Sequence, residues 1–410
     1  MTATLAHWPL WKLFLFRWAA LYGLLFFSGG FWNRPWHSLA VWAAKLWGHD
    51  LLAQSGPNGS GDTLENYIFC ALWLVAALLL ALIWSLIERR GTFTGKLAWP
   101  AHTLLRYVLG WYLLYYGWSK VFQSQMPLPD LVQLAKPLGE KSPMGLLWTM
   151  VGVSPLYQIA GGWAEVVSGL LLLFRRTSLL GAALGAGVMA YVFLLNLSFD
   201  VPVKLLSGHL LLYCLLTLVP FLPRLWAFIR GGSVPAMTYP APPQQPVWRW
   251  VGWVWRVLAL GIILVLPFQQ VRQAHKLYGD WPSSSKLVGI YQVQTDSVAP
   301  NQDMSFDVRW HTLVIGDREY GNGNQPPVRR AALTLVNGTR TLGNYQDDPK
   351  TSTLTLFMSG NNEAYQYSHN GFGDLVLKSA TRQLVLTPKP EGTLLTTRGF
   401  HWVNERPLNR

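Results

Sequence analysis

The sequence predicts a membrane α-helical bundle of about seven transmembrane helices, followed by an all-β antiparallel sandwich or barrel. Three observations predict it. The chain is 51% hydrophobic and only 13% charged, with 22 Trp, where a soluble domain carries about 25% charge. Apolar windows of roughly 20 residues, the length that crosses a hydrocarbon core, recur seven times before residue 270. From Lys286 onward the apolar pattern changes to period two, the alternation of half-buried strands.

The seven windows lie at 11–31, 66–87, 103–122, 155–174, 178–198, 204–222 and 248–268. The first has a long apolar core and no A-x-A site after it, so it reads as a retained span rather than a cleaved leader. After it, Trp36, Leu39, Ala43, Leu46 and Trp47 fall at helical spacing and predict a separate helix lying at the headgroups. Segment 123–154 holds four prolines and the run Pro143 to Trp148, and reads as a cap that dips back, with a lid over a cavity as one role. Between the sixth and seventh spans, 231–246 carries five prolines and no charge, a linker.

Charge sets orientation. Of the net +13, residues 1–279 hold 20 Lys/Arg against 8 Asp/Glu, and residues 280–410 hold 13 against 12. The excess sits in joints between apolar segments: Arg89, Arg90 and Lys96, then Arg175 and Arg176, then Arg224, Arg230 and Arg249. That is the pattern of orientation signals and anionic lipid contacts, and it argues against a nucleic-acid protein, whose cations would gather on a soluble face. With a cytoplasmic N-terminus, all three joints lie inside. Seven crossings then deliver the C-terminal region to the periplasm of a bacterial inner membrane.

Eight period-two runs, near 286–294, 304–317, 330–337, 339–345, 352–359, 363–369, 374–380 and 382–388, build the β domain of 280–410. The ending, Arg398 to Arg410, is dense in charge and aromatic rings, and is expected either to dock between the β domain and the membrane rim or to form a last strand. Cys70 and Cys214 both lie inside spans, without a C-x-x-C pair, and read as buried hydrophobes. The nine histidines show no metal-ligand spacing, and no metal is expected.

The candidate site starts from Glu165, one carboxylate in the apolar stretch 155–174. An ionisable group at bilayer depth costs at least about 2.5 kcal/mol, so it is paired, faces a polar cavity, or is used. Glu165 is expected to be neutral or tightly ion-paired at pH 7, and the plain alternative is a clip between two helices. On the third span Tyr112, Tyr116 and Lys120 form a stripe at i, i+4 and i+8; Asn196 and Asp200 end the fifth span, and Lys204 and His209 open the sixth. Gly161, Gly162, Ser168 and Gly169, with Gly181 and Gly185, permit close helix approach. If these groups converge, the natural pairs are Lys120 with Asp200, and Lys204 or His209 with Glu165.

These residues carry a resemblance. Leu105-Arg106-Tyr107-Val108-Leu109-Gly110, Gly117-Trp118-Ser119-Lys120, the Glu165 helix and Asp200-Val201-Pro202-Val203-Lys204 resemble the four-helix DoxX-type membrane fold. The tail Arg398 to Arg410 is similar to the close of longer bacterial DoxX-type proteins that attach a β domain. The resemblance implies a core over 98–230, preceded by a two-helix segment (1–97) and followed by the linker (231–247), the last span (248–270) and the exported domain. It also implies an accessory or anchoring role beside quinone-linked redox enzymes, and it departs from the family in the added spans and the β domain.

Three readings follow. In the first, a quinone is the cofactor, Glu165 and His209 handle protons, Tyr112 and Tyr116 border a ring site, and a partner protein supplies the electrons. In the second, the chain is a non-enzymatic scaffold or lipid-binding protein that recruits a periplasmic partner through its β domain. The third, a proton-coupled transporter, ranks last, because no inverted repeat or pair of broken helices is visible.

Overall fold

A computed structural model describes residues 8–49, 51, 60–234, 246–358, 361–389, 394–399 and 401–403. The chain forms two compact units, residues 1–121 with 160–270, and residues 122–159 with 271–410. Most of the expected linker (235–245) and of the tail (404–410) lies outside the described residues.

The first unit is helical. Its elements are α1 (Leu10–Leu46), α2 (Leu64–Ile87), α3 (Thr92–Val121), and, after a segment carrying α4 (Leu131–Leu134) and α5 (Pro143–Gly152), α6 (Pro155–Leu173), α7 (Ser178–Ser198), α8 (Lys204–Leu218), α9 (Leu222–Ile229) and α10 (Pro246–Tyr278). Among the described residues, six stretches are long and apolar enough to cross a membrane: Leu10–Gly29, Leu64–Ile87, Pro155–Leu173, Ser178–Ser198, Lys204–Ile229 and Trp250–Leu277. The chain therefore has the helices of a multi-pass membrane protein. The window expected at 103–122 is helical as well, but Arg106, Lys120 and four tyrosines make it less apolar than the others.

Outward faces carry Leu79, Ile83, Leu86 and Ile87, all exposed, as a lipid-facing surface requires. Inward, Leu109, Leu113, Leu172, Ala182, Met189, Leu210, Tyr213 and Cys214 pack into one core. The helix expected to lie separately over 35–47 instead continues α1 without a break. Ala40 and Ala44 are fully buried in the helical core, so that stretch is held by packing on its inner face, while Leu39, Trp42, Leu46 and Trp47 stay exposed.

The second unit is an up-and-down barrel. Strands β2 (Gly289–Asp296), β3 (Trp310–Asn322), β4 (Gln325–Leu335), β5 (Arg340–Asp348), β6 (Thr353–Met358), β7 (Asn361–His369), β8 (Leu375–Lys378) and β9 (Gln383–Pro388) pair antiparallel in order, and β9 closes on β2. The short β1 (Asp280–Pro282) adds to β3. All eight expected runs are strands, and the sandwich-or-barrel alternative resolves to a barrel. Leu354, Leu356, Leu375, Leu377, Leu384 and Leu386 point inward at every second position and meet Tyr291, Trp310, Leu313 and Tyr365. These side chains fill the interior.

The segment expected as a cap belongs to this unit. Val132 of α4 packs on Ile290, Val314 and Ala332 of the barrel's outer face. Asp130 caps α4 through Gln133 N (2.7 Å) and accepts from Tyr320 Oη (2.7 Å); Asp317 takes Leu131 N (2.8 Å), and Arg340 donates to the carbonyls of Val132 and Ala135 (2.7 and 3.0 Å). Four of these polar contacts, with the apolar patch, thus hold it to the strands, and the fifth caps its own helix.

Candidate functional site

Four glycines create the central crossing of the helical unit. Gly110 and Gly117 on α3 face Gly169 and Gly162 on α6. A Cβ at Gly117 would lie 2.9 Å from the Gly162 carbonyl oxygen, one at Gly162 would lie 2.8 Å from the Gly117 carbonyl oxygen, and one at Gly169 would lie 3.1 Å from that of Gly110. The backbones therefore touch, which only residues without a side chain allow. One turn from Gly117, Lys120 reaches across this contact. Its Nζ donates to both oxygens of Glu165, at 2.8 and 2.9 Å.

Glu165 is 1% exposed and Lys120 13%. Burial strips water from both ions, and the short contacts to both carboxylate oxygens supply the attraction that a buried charge needs. The Tyr116 ring lies 5.9 Å from Lys120 Nζ, on the same face. At the other end of the crossing, buried Arg106 donates to the Leu172 carbonyl (3.0 Å) in the last turn of α6, where a cation meets the helix's negative end.

The remaining predicted residues form separate groups. His209 Nδ1 bonds the Leu205 carbonyl (2.7 Å), so that nitrogen carries the proton; Nε2 of the neutral ring then accepts from Tyr22 Oη (2.7 Å). Phe26 stacks on the imidazole at 3.7 Å between ring centroids. Asn196 donates to Ser207 Oγ (2.9 Å). Lys204 pairs with Asp200 (2.8 Å), and Asp62 takes the backbone N–H groups of Lys204 and Leu205 (2.7 and 2.9 Å), capping α8. Tyr112 packs against Phe27.

The expected pairs are thus corrected. Lys120 meets Glu165 and not Asp200, and neither Lys204 nor His209 reaches Glu165, because Asp200 turns outward, 83% exposed, and His209 is held by Tyr22 on α1. Of the predicted site, Lys120, Glu165 and Tyr116 come together, with Tyr112 one turn from Tyr116 on the same helix; Asn196, Asp200, Lys204 and His209 do not join them.

The sequence reading missed a second buried cluster. Arg17, with no exposed surface, donates to Thr94 Oγ1 (2.9 and 2.7 Å), Ser85 Oγ (2.9 Å) and Glu88 (2.7 Å to Oε2), tying α1, α2 and α3 together. The signal was the one that found Glu165, a single charge inside an apolar stretch. Tyr22 and Asp62 gave no comparable signal. In the barrel unit, Asp347 accepts from Ser285 (2.7 Å), and Arg382 bonds both oxygens of Asp296 (3.0 and 2.9 Å) beside Trp310. Among the described residues, no three His, Cys, Asp or Glu side chains gather as a metal site.

Fold and ion pair together define a multi-pass helical membrane protein that carries a closed β-barrel. No known family profile matches the chain, and no solved structure does. It is 36% identical over 73 residues to the uncharacterized protein YwoB of Bacillus subtilis (strain 168), a stretch making up 18% of this chain and 47% of that protein. The chain thus spans about half the length of the curated relative it matches.

Proposed function

We propose that this chain is a DoxX-like protein of a bacterial inner membrane that serves as an accessory, anchoring component of a quinone-linked redox system, with its barrel on the periplasmic side. The Lys120–Glu165 pair carries the reading. A packing contact alone needs no ions at this depth, since apolar residues of similar volume often serve as well. A carboxylate that exchanges a proton needs a counter-charge that holds it between exchanges, and Lys120 supplies one. Tyr116 borders that pair, and His209 with Tyr22 forms a second proton-bearing couple. Electrons come from a partner protein, and the chain supplies the anchorage and the proton path.

The scaffold reading is favoured by a different observation. The barrel interior is filled by its own side chains, which leaves the outer surface for binding, and Met304, Phe306 and Val308 are exposed on the β2–β3 loop. One measurement separates the two. The purified, detergent-solubilised protein is extracted with organic solvent, and isoprenoid quinone is sought by mass spectrometry in wild type and Glu165→Gln. Stoichiometric quinone that falls in the variant is the expected result. Phospholipid alone in both samples discards the redox reading in favour of the scaffold.

A further inference from the structure

The helical unit is unevenly charged along its length. Arg17 on α1 donates to Ser85, Glu88 and Thr94, and Arg175 after α6 lies 3.8 Å over the Trp99 ring of α3. His102, one turn further along α3, meets the Thr217 carbonyl oxygen (3.5 Å) and the Phe221 ring at the end of α8. The α2–α3 joint, the α6–α7 joint and the start of α9 therefore share one end of the bundle with the beginning of α1. Lys12, Arg89, Arg90, Lys96, Arg176 and Arg230 are exposed at that end, and Arg175 and Arg224 are half-buried. Among the described residues the acid at this end is Glu88, which Arg17 and the Thr94 hydroxyl already hold. The opposite end is mixed, with Asp62, Glu65 and Asp200 beside Lys45 and Lys204, and Asp62 caps α8 there.

α9 adds an apolar shelf to the cationic end. Leu222, Pro223, Leu225, Trp226 and Ile229 line a shallow groove of about 510 Å³, and Trp226, Phe228 and Ile229 are exposed. The membrane-length stretch Lys204–Ile229 ends here, so the groove lies where apolar helix surface gives way to headgroups. Arg230 sits over the Trp226 ring, 4.3 Å from its centroid. On the same helix, Arg224 Nε is buried and has no acceptor among the described residues. In water such a surface is unfavourable twice over, because it exposes apolar rings and crowds like charges. Acyl chains that cover the rings and phosphates that sit among the cations remove both costs. Guanidinium groups suit the second task, since their planar fork donates to two phosphate oxygens at once. Tryptophan beside them is the residue enriched at headgroup depth.

We propose that this end of the helical unit is a binding surface for anionic phospholipid, with acyl chain along the α9 groove and headgroup phosphates held by the arginines of α9 and of the α6–α7 joint. The lipid is anionic rather than zwitterionic because, among the described residues, eight cations face one carboxylate that is already neutralised. A nucleic acid or an acidic protein segment would match the charge but leave the apolar groove uncovered. The inference uses the helical unit alone and is independent of any redox role.

The test reconstitutes the full chain in phosphatidylcholine bilayers that carry either spin-labelled phosphatidylglycerol or spin-labelled phosphatidylcholine, and compares the motionally restricted fraction of each. Phosphatidylglycerol should be favoured several-fold. Arg175→Gln, Arg176→Gln, Arg224→Gln and Arg230→Gln together should bring the ratio close to one, whereas Lys350→Gln with Lys378→Gln on the barrel should leave it unchanged. A wild-type ratio near one, or a ratio that the four substitutions do not lower, overturns the proposal. Should the fourfold variant fail to fold, photolabelling of the unsubstituted chain decides, with a diazirine near the headgroup of either lipid. The ratio of phosphatidylglycerol to phosphatidylcholine label on peptides 89–96 and 222–230 should exceed that on 62–67 and 200–205 several-fold, and equal ratios reject the site. A dimer that retains no phosphatidylglycerol in native mass spectrometry also rejects it, because a second copy then covers this face.

Discussion

Lys120 and Glu165 stabilise each other only as a pair, so single and double substitutions separate ion chemistry from packing. Lys120→Met strands a carboxylate that is 1% exposed and should cost about 3–5 kcal/mol, seen as a lower thermal midpoint in detergent. Lys120→Met with Glu165→Leu should recover most of that loss, because an apolar pair of similar volume fills the crossing. If the double variant is as unstable as the single one, the ions do more than satisfy each other's charge. The carboxylate was legible because it stands alone in an apolar run. Its partner was not, since Lys120 at the end of its helix resembles a side chain that snorkels to the headgroups.

At the scale of elements, the helical unit depends on backbone contact between α3 and α6. Gly117→Val places methyl groups where the Gly162 carbonyl oxygen and the Val166 side chain already stand, 2.9 and 2.7 Å from a bare Cβ. Overpacking of this kind costs typically about 1–3 kcal/mol, and here it should also lengthen the Lys120–Glu165 contact. A calorimetric scan of Gly117→Val should show the loss, whereas Gly161→Ala, where a Cβ meets nothing, should be silent. Glycine spacing on the Glu165 helix was readable from the sequence. That α3 presents matching glycines seven residues apart became visible only when the helices were paired, because Gly110 and Gly117 fit several partners equally well.

For the whole molecule, acid should act on the barrel through its paired carboxylates. The Arg309 guanidinium and backbone N–H hold Asp307 below the usual carboxylate range, and the Asn370 side chain and Thr387 hydroxyl do the same for Asp374. A carboxyl whose folded value is depressed adds stability that is present above the unfolded value of about 3.9 and is lost as pH falls through the folded one. The far-ultraviolet β signal of the full chain should therefore weaken below about pH 4, and Asp307→Asn with Asp374→Asn should flatten that dependence; an unchanged acid profile removes these two groups from the explanation. By itself the sequence determined the membrane helices, the eight strands and the buried carboxylate, because burial periodicity and the cost of a charge in apolar surroundings are local properties of a chain. Only the tertiary structure decided that Glu165 meets Lys120, that the polar residues split into separate groups, that the sheet closes, and that residues 122–159 belong with the barrel. Those outcomes depend on which elements become neighbours, and neither period nor composition encodes that.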